Sequence, residues 1–362
     1  MNELKFALLG CGRISRKHVD AITTAHNARL VAVCDSQKHR AQQLGEKLGV
    51  PWFDGVDQML TSMPEIDVVN ILTPTGYHAE HAIKVASFRK HIVVEKPMAL
   101  RLEDADAMIK ACDRAGVRLF VVKQNRFNLP VQRLRRALEA GRFGKLVMGT
   151  VRVRWCRRQE YYDQDAWRGK WELDGGVLAN QASHHVDLLM WMLGEVESVF
   201  AMTATQLVDV ETEDTAAVVL RFTNGALGII EATTATRPVD LEGSISVLGE
   251  HGTVVIGGFA VNELVTWRFD HSAPEDETVI AESRTMPDNV YGFGHQAFIQ
   301  NVVTTIQGQG SALVDGLEGR KSIEVINAIY ESVQTGREVP LRYKPRHSPL
   351  GQPGTLRKSS PS

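Results

Sequence analysis

The sequence lacks several features that would indicate a charged or membranous partner. It has 41 basic and 43 acidic residues, so neither sign of charge dominates. Binding to nucleic acid or to an anionic membrane requires a basic excess, and this balance therefore favours a small-molecule partner. No segment approaches the run of about 20 apolar residues that crosses a membrane. The first apolar stretch is short and has no basic leader, which predicts a cytoplasmic protein with no membrane partner.

Cysteine is scarce, with four residues among 362. Cys11, Cys34, Cys112 and Cys156 lie far apart and form no CxxC pair. Two of them lie in apolar, strand-like runs, and we interpret the four as buried thiols of a reducing compartment. The sequence predicts no metal site.

A chain of 362 residues is long enough for about two domains. Residues 1–123 alternate between short β-branched runs and amphipathic stretches, which predicts a doubly wound parallel sheet of the Rossmann type. The predicted strands are LKFALL (4–9), ARLVAVCD (28–35), IDVVNIL (66–72), HIVVE (91–95) and VRLFVV (117–122).

The alternation of short strands and helices ends after residue 123, and an amphipathic stretch follows at 129–140. Three long alternating runs then predict a sheet with antiparallel strands in a second, α/β domain over 124–343. They are KLVMGTVRVRWCRR (145–158), DTAAVVLRF (214–222) and GALGIIEATTA (225–235). The tail, 344–362, is rich in Pro, Ser and basic residues, and we expect it to be disordered.

The segment GCGRIS (10–15) follows the first predicted strand directly and precedes a helical pattern. Gly10 permits a tight turn, and Gly12 lets the backbone approach a pyrophosphate at the positive end of the helix. Ser15 is small enough to replace the usual third glycine. Asp35 ends the second strand, where an acid binds the adenosine ribose and repels a 2′-phosphate. This combination predicts a dinucleotide site that prefers NAD to NADP, although Lys38, His39 and Arg40 could pair with a phosphate.

The segment EKP (95–97) follows another predicted parallel strand, at the sheet edge where such folds bind ligands. A lysine beside an oxidised nicotinamide faces a like charge, which lowers its pKa and suits it to exchange a proton with an alcohol. Lys96 is therefore a candidate catalytic residue. The alternative is a solvated lysine at the end of a strand. Pro97 suggests a turn with a cis peptide bond.

The segment GGVLANQASHHVDLLMWMLG (175–194) predicts a helix after its glycines. Asn180, His184 and Asp187 then share one face, so His184 can point into a site with Asn180 beside it. The alternative is a hydrogen-bonded core histidine. A metal site at His184, His185 and Asp187 is disfavoured because adjacent helical residues diverge by about 100°.

Basic and aromatic residues are concentrated in RVRWCRRQEYYDQDAWRGKW (152–171). On a strand Arg152, Arg154, Cys156 and Arg158 would share one face. Such a row suits a phosphorylated or carboxylated ligand, although it is also typical of a solvated sheet face.

Several of these motifs, in this order, resemble the Gfo/Idh/MocA family of NAD(P)-dependent sugar and inositol dehydrogenases. The residues that carry the resemblance are GCGRISRKH, TPTGYHAEHA (73–82), EKP, NRF (125–127), WRG (167–169), SHHVDLL and EGRKSIEVINAIYES (318–332). The resemblance implies a Rossmann domain followed by a domain with a large, mainly antiparallel sheet. It also implies a homodimer or homotetramer and places Lys96 and His184 beside the reacting carbon. Asn180 replaces the family aspartate, so either Lys96 or His184 could take the proton.

The motifs and the resemblance together predict the residues that contact each ligand. NAD would contact Gly10, Gly12, Arg13, Ile14, Asp35, Thr73, Pro74, His78, Glu95, Lys96, Gln124, Trp167 and Arg168. The substrate would contact Lys96, Arg154, Arg157, Arg158, Tyr161, Asn180 and His184.

Within the family, the segments RWCRR to YYDQ and NQASHHVDLL are most similar to UDP-N-acetyl-2-amino-2-deoxy-D-glucuronate 3-dehydrogenases of cell-surface polysaccharide (O-antigen) synthesis. This predicts a nucleotide-sugar substrate. Two alternatives stay open, a dehydrogenase of myo-inositol or another free sugar and a non-catalytic NAD-binding sensor. The cations and aromatic residues of 152–171 favour the nucleotide sugar, and the presence of both Lys96 and His184 disfavours the sensor.

Overall fold

The computed structural model describes residues 3–283, 294–341, 348 and 350. The chain divides into two compact units. The first comprises Met1–Phe127 and Phe293–Arg320, and the second comprises Asn128–Gly292 and Lys321–Ser362. Within the described residues, no helix combines the length and the hydropathy required to cross a membrane.

The described residues form strands and helices that are numbered here in chain order. The strands are β1 (Leu4–Leu9), β2 (Ala28–Cys34), β3 (Trp52–Phe53), β4 (Val68–Ile71), β5 (His91–Val94), β6 (Leu119–Val121), β7 (Leu146–Arg154), β8 (Val196–Ala204), β9 (Thr215–Phe222), β10 (Leu227–Thr233), β11 (Glu242–Gly249), β12 (Gly252–Gly257), β13 (Glu263–Phe269) and β14 (Val339–Pro340). The α-helices are α1 (Ser15–Thr24), α2 (Lys38–Leu48), α3 (Val56–Ser62), α4 (His78–Ser87), α5 (Leu102–Ala115), α6 (Leu129–Glu139), α7 (Gln159–Tyr162), α8 (Ser183–Leu193), α9 (Val279–Glu282), α10 (Gly294–Ile306) and α11 (Gly316–Thr335). Short 3-10 turns cover Thr75–Tyr77, Gln124–Phe127 and Pro274–Glu277, and a π-helical turn covers Val177–Gln181.

The first unit contains a parallel sheet of six strands in the order β3-β2-β1-β4-β5-β6. This order reverses direction at β1 and β4, as in the Rossmann fold that the sequence predicted. Every residue of β4 is buried, because helices cover both faces of a parallel sheet and favour a continuous apolar run. The fold class is confirmed.

Helix α10 belongs to the first unit although it lies late in the chain. Its residues Phe298, Ile299, Val302 and Val303 are buried in one core cluster with Phe6 of β1. The sequence assigned 124–343 to the second domain, and α10 departs from that assignment because its apolar face completes the core of the first unit. The boundary at 123 likewise falls at 127 in the structure. Apart from residues 348 and 350, the predicted disordered tail lies outside the described residues.

The second unit contains a mixed sheet of eight strands in the order β13-β12-β11-β7-β10-β9-β8-β14. Most neighbours are antiparallel, as predicted, but β10 runs parallel to β7. Helix α8 covers one face of the sheet, since a Cβ placed on Gly149 of β7 would lie 2.8 Å from Leu189 and 2.7 Å from Leu193. The other face carries exposed apolar side chains on neighbouring strands, including Phe200 and Met202 of β8 and Val219 of β9.

Candidate active site

The loop between β1 and α1 has the geometry of a pyrophosphate-binding turn. Gly10 has φ = 110°, and a Cβ there would lie 2.8 Å from the Leu72 carbonyl, so only glycine fits. A Cβ on Gly12 would meet nothing within 4 Å, so open space lies next to its backbone. Ser15 begins α1 and its hydroxyl donates to the Gly12 carbonyl at 2.7 Å. These residues fit a dinucleotide, whose phosphates bind at a helix N-terminus. Arg13, which is exposed, and Ile14 complete the turn.

Asp35 is fixed beside this turn by two backbone hydrogen bonds. The Cys11 N–H donates to Oδ2 and the Gln37 N–H donates to Oδ1, both at 2.8 Å. Each carboxylate oxygen keeps a further lone pair for a ribose hydroxyl. Burial and the neighbouring Asp35 raise the pKa of the Cys11 thiol to about 12, so the thiol remains protonated at neutral pH. The negative charge beside the turn is therefore that of Asp35.

His78 connects the loops that follow β4 and β5. Its Nε2 lies 2.8 Å from the Thr73 carbonyl oxygen, and its Nδ1 lies 2.9 Å from the Pro97 carbonyl oxygen. Burial lowers the pKa of His78, although both carbonyl contacts act in the opposite direction. His78 thus shapes the loops containing Thr73 and Pro74, and its direct contact with NAD stays a prediction.

Lys96 follows β5 at the carboxyl edge of the sheet and is half-buried. The Lys96–Pro97 peptide bond is cis, as the sequence suggested. The side chain of Glu95 is directed into the protein, with its Oε1 3.0 Å from Nε2 of buried His18. Gln124 is also buried, at the start of the 3-10 turn after β6. NAD contacts by Glu95 and Gln124 stay predictions.

An arginine–tyrosine cluster, defined here as Arg157, Tyr161 and Arg168, lies in the second unit. The Arg157 guanidinium stands 5.5 Å from the Tyr161 ring centroid, and that of Arg168 stands 4.5 Å from it. Arg168 also donates to the Tyr161 hydroxyl at 2.6 Å and stacks on Trp167 at 4.5 Å. Gln181 donates to the same hydroxyl at 3.0 Å, which joins the cluster to the turn that carries Asn180. The structure thus brings several predicted ligand residues together.

The acidic partners of these arginines differ. Arg157 pairs with Asp240 at 2.8 Å and Arg168 pairs with Asp165 at 3.2 Å. Arg158 is exposed and has no ion pair with any residue in the part of the chain that the structure describes. It therefore has its charge available for an anionic ligand.

Arg154 stands apart from the cluster. Strand β7 ends at Arg154, so the basic row predicted to reach Arg158 on one strand face is wrong beyond that residue. Arg154 lies on the face of β7 opposite to Gly149 and α8, where it bonds to Glu231 at 2.5 Å and to Glu242 at 3.1 Å. Its hydrogen bond to Glu231 raises its pKa. The substrate role predicted for Arg154 has no support from these contacts.

The segment predicted as one helix begins with a π-helical turn, in which the Ala182 N–H bonds to the Val177 carbonyl at 2.8 Å. The wider turn changes the angle between Asn180 and His184 from that of an α-helix. The Asn180 amide donates to Oδ1 of Asp174, and its carbonyl accepts from Gln181. His184 lies in the first turn of α8 and is 6% exposed, whereas His185 is fully buried against Trp155. His185 is therefore the core histidine of this helix.

Sequence reasoning missed Glu213, which anchors the π-helical turn. Its carbonyl accepts the Val177 N–H at 3.0 Å, and its Oε1 accepts the Leu178 N–H at 3.0 Å and the Tyr330 hydroxyl at 2.8 Å. Burial raises the pKa of Glu213 to about 7, and the charge of Asp174 acts in the same direction. No local signal marks it, because it stands among the acidic residues of VETEDT (210–215), which resembles a solvated loop.

The comparisons with known proteins agree with this geometry. Residues 4–123 match the model of an oxidoreductase family with an NAD-binding Rossmann fold, and residues 135–341 match the C-terminal alpha/beta domain of that family, Gfo/Idh/MocA. The chain belongs to this family. It is an NAD-dependent dehydrogenase, as its motifs predicted.

Two solved structures are similar over nearly the whole chain. The WlbA dehydrogenase from Bordetella pertussis, in complex with NADH and UDP-GlcNAcA, is 47% identical with a TM-score of 0.90, covering 94% of this chain and 98% of that one. The WlbA dehydrogenase from Chromobacterium violaceum, with the same ligands, is 43% identical with a TM-score of 0.88, covering 94% and 96%. A myo-inositol 2-dehydrogenase from Thermotoga maritima is 33% identical over 236 residues, which are 63% of this chain and 68% of that protein.

Proposed function

We propose that this dehydrogenase oxidises the 3-hydroxyl of UDP-N-acetyl-2-amino-2-deoxy-D-glucuronate to the 3-keto sugar, in cytoplasmic synthesis of a cell-surface polysaccharide. The observation that carries the proposal is the 47% identity over 94% of the chain to an enzyme whose complex contains NADH and UDP-GlcNAcA. Bound NAD supplies the acceptor for the hydride that leaves the carbinol carbon. Gly10, Gly12 and Asp35 are the residues that would hold it.

The protein itself must remove the hydroxyl proton as the carbon is oxidised. Lys96 is our candidate for this step, because it follows a parallel strand at the sheet edge where such folds bind ligands. His184 is the alternative. Asn180 gives His184 no carboxylate at that position, and its own amide is engaged by Asp174. We therefore assign the proton to Lys96 and the orientation of the sugar to His184.

The substrate carries a diphosphate and a uronate, and both require cations in fixed positions. The arginine–tyrosine cluster supports this assignment, since the guanidinium groups of Arg157 and Arg168 lie 5.5 Å and 4.5 Å from the Tyr161 ring centroid and Arg168 also donates to the Tyr161 hydroxyl. Arg158 adjoins the cluster in sequence and has no ion pair within the described part of the chain. We propose that Arg158 binds an anionic group of the substrate.

The test compares substrates for NADH formation at equal concentration. The panel is UDP-N-acetylglucosaminuronic acid, UDP-N-acetylglucosamine and myo-inositol, followed by absorbance with purified protein and NAD. The uronate should react fastest. A faster reaction with inositol would support the free-sugar alternative, which the 33% identity to an inositol dehydrogenase favours. No NADH with any sugar would support the sensor.

Lys96→Met tests the chemistry apart from the substrate. Loss of a proton-transfer group costs about 10² to 10⁴ in rate, so the variant should lose turnover and still bind NAD. Calorimetry with NAD is the control for folding. Turnover near the level of the unchanged protein would move the base to His184.

We also propose that the chain forms a homodimer or homotetramer through the open face of its eight-stranded sheet. The side chains of Phe200, Met202, Val219, Leu227 and Leu248 on this face are 42%, 70%, 52%, 42% and 37% exposed. Strand pairing places Phe200 opposite Val219, and it places Leu227 and Leu248 on the two sides of Met148. In an oligomer these apolar side chains would be buried against the same area of a second subunit.

A further inference from the structure

A buried hydrogen-bonded network lies below Lys96 in the first unit. Nε2 of His18 is 3.0 Å from Oε1 of Glu95, and Nε2 of His295 is 3.8 Å from the same oxygen. The two imidazole rings meet edge to face with centroids 5.6 Å apart. His18, Glu95 and His295 are 0%, 8% and 4% exposed, so these groups interact with little screening by water.

Asn70 determines where the protons of this network lie. Its side-chain amide nitrogen is 2.9 Å from Nδ1 of His18. An amide NH₂ group can only donate, so Nδ1 of His18 is the acceptor and Nε2 carries the hydrogen that points to Glu95. Burial alone would raise the pKa of Glu95, but the hydrogen bond from His18 and the nearby imidazole of His295 together lower it well below its usual range. Glu95 is therefore an ionised acceptor.

The second carboxylate oxygen of Glu95 connects the network to Lys96. Its Oε2 accepts the backbone N–H of Lys96 at 3.0 Å. On the other side of the lysine, Nδ1 of His78 contacts the Pro97 carbonyl oxygen at 2.9 Å. Hydrogen-bonding groups therefore contact the backbone at the N–H of Lys96 and at the carbonyl of the next residue, Pro97.

We propose that Asn70, His18 and Glu95 are positioning residues, which fix the backbone of Lys96 and hence the direction of its amino group. The inference rests on the proposed role of Lys96 in proton transfer. His18 lies in α1, Asn70 lies in β4 and Glu95 follows β5 directly, so the three residues belong to the same sheet and helix that form the NAD-binding turn. A displacement of about 1 Å at a reacting group can cost about 10²-fold in rate, which makes such a network effective without contact to the substrate.

Three side chains of the network could be taken for a metal site, since ligand atoms of His18, Glu95 and His295 lie within 4.8 Å of one another. A metal needs an imidazole nitrogen with a free lone pair. The Asn70 amide occupies the lone pair of His18 Nδ1, and Nε2 donates its hydrogen to Glu95. We therefore assign the cluster to hydrogen bonding.

The test uses a matched pair of variants at His18 and one at Glu95. His18→Gln keeps an N–H that can donate to Glu95, whereas His18→Leu removes it at similar volume. We expect His18→Leu and Glu95→Gln to lower kcat by about 10²-fold and His18→Gln by less than about 10-fold. In His18→Leu, the KM of the fastest sugar of the panel and the dissociation constant of NAD should change by no more than about 3-fold. Met59→Ala, a buried change in α3, controls for general destabilisation and should lower the melting temperature while kcat stays unchanged.

The outcomes separate this inference from the proposed function. If Lys96→Met keeps its turnover, the proposed role of Lys96 fails, and the inference fails with it. If Lys96→Met is inactive but His18→Leu and Glu95→Gln keep kcat, the positioning network alone is overturned. A loss of NAD affinity in His18→Leu that parallels the loss of kcat, equal losses in both His18 variants, or a stoichiometric metal that depends on His18 would also overturn it.

Discussion

Replacement of Glu213 by glutamine should make the second unit more stable above neutral pH. The carboxyl group is buried below the π-helical turn, where burial raises its pKa from 4.5 to about 7. In the unfolded chain the group titrates near its ordinary value. Below about pH 4.5 both states hold the proton, so the ionisation of Glu213 costs no stability. As pH rises from about 4.5 to about 7, the unfolded chain releases this proton while the folded protein keeps it, so stability is lost across that range. Above about pH 7 the folded protein buries the charge beside Asp174, and the loss is complete.

The magnitude follows from the two pKa values. One unit of pKa difference corresponds to about 1.4 kcal/mol, so the difference between 4.5 and about 7 amounts to roughly 3 kcal/mol above pH 8. Glutamine stays neutral and keeps an oxygen that can accept from Leu178 and Tyr330. The stability of Glu213→Gln relative to the unchanged protein should therefore increase by roughly 2 to 3 kcal/mol between pH 5 and pH 8.

Tryptophan fluorescence during urea unfolding at each pH measures this difference. Trp171 lies 5.3 Å from the ring of Tyr330, which donates to Glu213, so a reporter stands next to the altered group. Glu172→Gln, an exposed change in the same region, is the control and should show no such increase. If the two variants have the same pH dependence, or if Glu213→Gln loses stability relative to the unchanged protein as pH rises, Glu213 does not retain a proton in the fold and the reasoning is refuted.

Three further predictions concern the cofactor, the substrate and the assembly. Asp35→Ala should weaken NAD binding and reduce the preference for NAD over NADP, as measured by calorimetric titration. An unchanged NAD affinity in this variant, or tighter binding of NADP than of NAD by the unaltered protein, would contradict the assignment of Asp35 to the ribose. Arg158→Ala should raise the KM for the UDP-uronate by about 10-fold or more, which is about 1.4 kcal/mol, and should leave the KM for neutral sugars unchanged. Arg154, whose partners are Glu231 and Glu242, is the control, and Arg154→Ala should change neither KM. If Arg154→Ala raises the KM for the UDP-uronate more than Arg158→Ala does, Arg154 belongs to the substrate site. Light scattering should give a mass that is a multiple of the 40.1 kDa chain, and Met202→Glu should reduce this mass to that of one chain. A mass near 40.1 kDa for the unaltered protein at micromolar concentration would exclude the oligomer.

The sequence predicts the first unit well because its elements are specified locally. Buried parallel strands are short apolar runs, and the glycine turn, the strand-terminal Asp35 and the EKP segment each follow such a run directly. Strand β3 was missed because it has only two residues, Trp52 and Phe53. The packing of α10 in the core of the first unit could not be predicted, because helical spacing indicates that a helix has an apolar face but not which sheet that face covers.

Polar residues within apolar patterns indicate buried hydrogen-bonded networks. His18 falls on the apolar face of the first helix, and Asn70 interrupts the apolar run of β4. A polar side chain in such a place requires a buried hydrogen-bond partner, and these two residues meet each other. Their partners Glu95 and His295 come from distant parts of the chain, so the sequence could indicate that a network exists but not which residues complete it.

The amide at position 180 is explained by the carboxylates around it. Asp174 accepts from the Asn180 amide and also from the Gly169 N–H at 2.7 Å, so its charge is committed to holding this segment. An aspartate at 180 would set two carboxylates within hydrogen-bond distance, near the already buried Glu213, and at least one would have to take up a proton. The anionic substrate that we propose would add a further charge of the same sign. Asn180 avoids this repulsion, and it leaves His184 without a carboxylate at that position to stabilise a positive imidazolium. In our proposal Lys96 therefore takes the proton of the sugar hydroxyl, and the ionised Glu95, which contacts His18 and His295, fixes the backbone of that lysine.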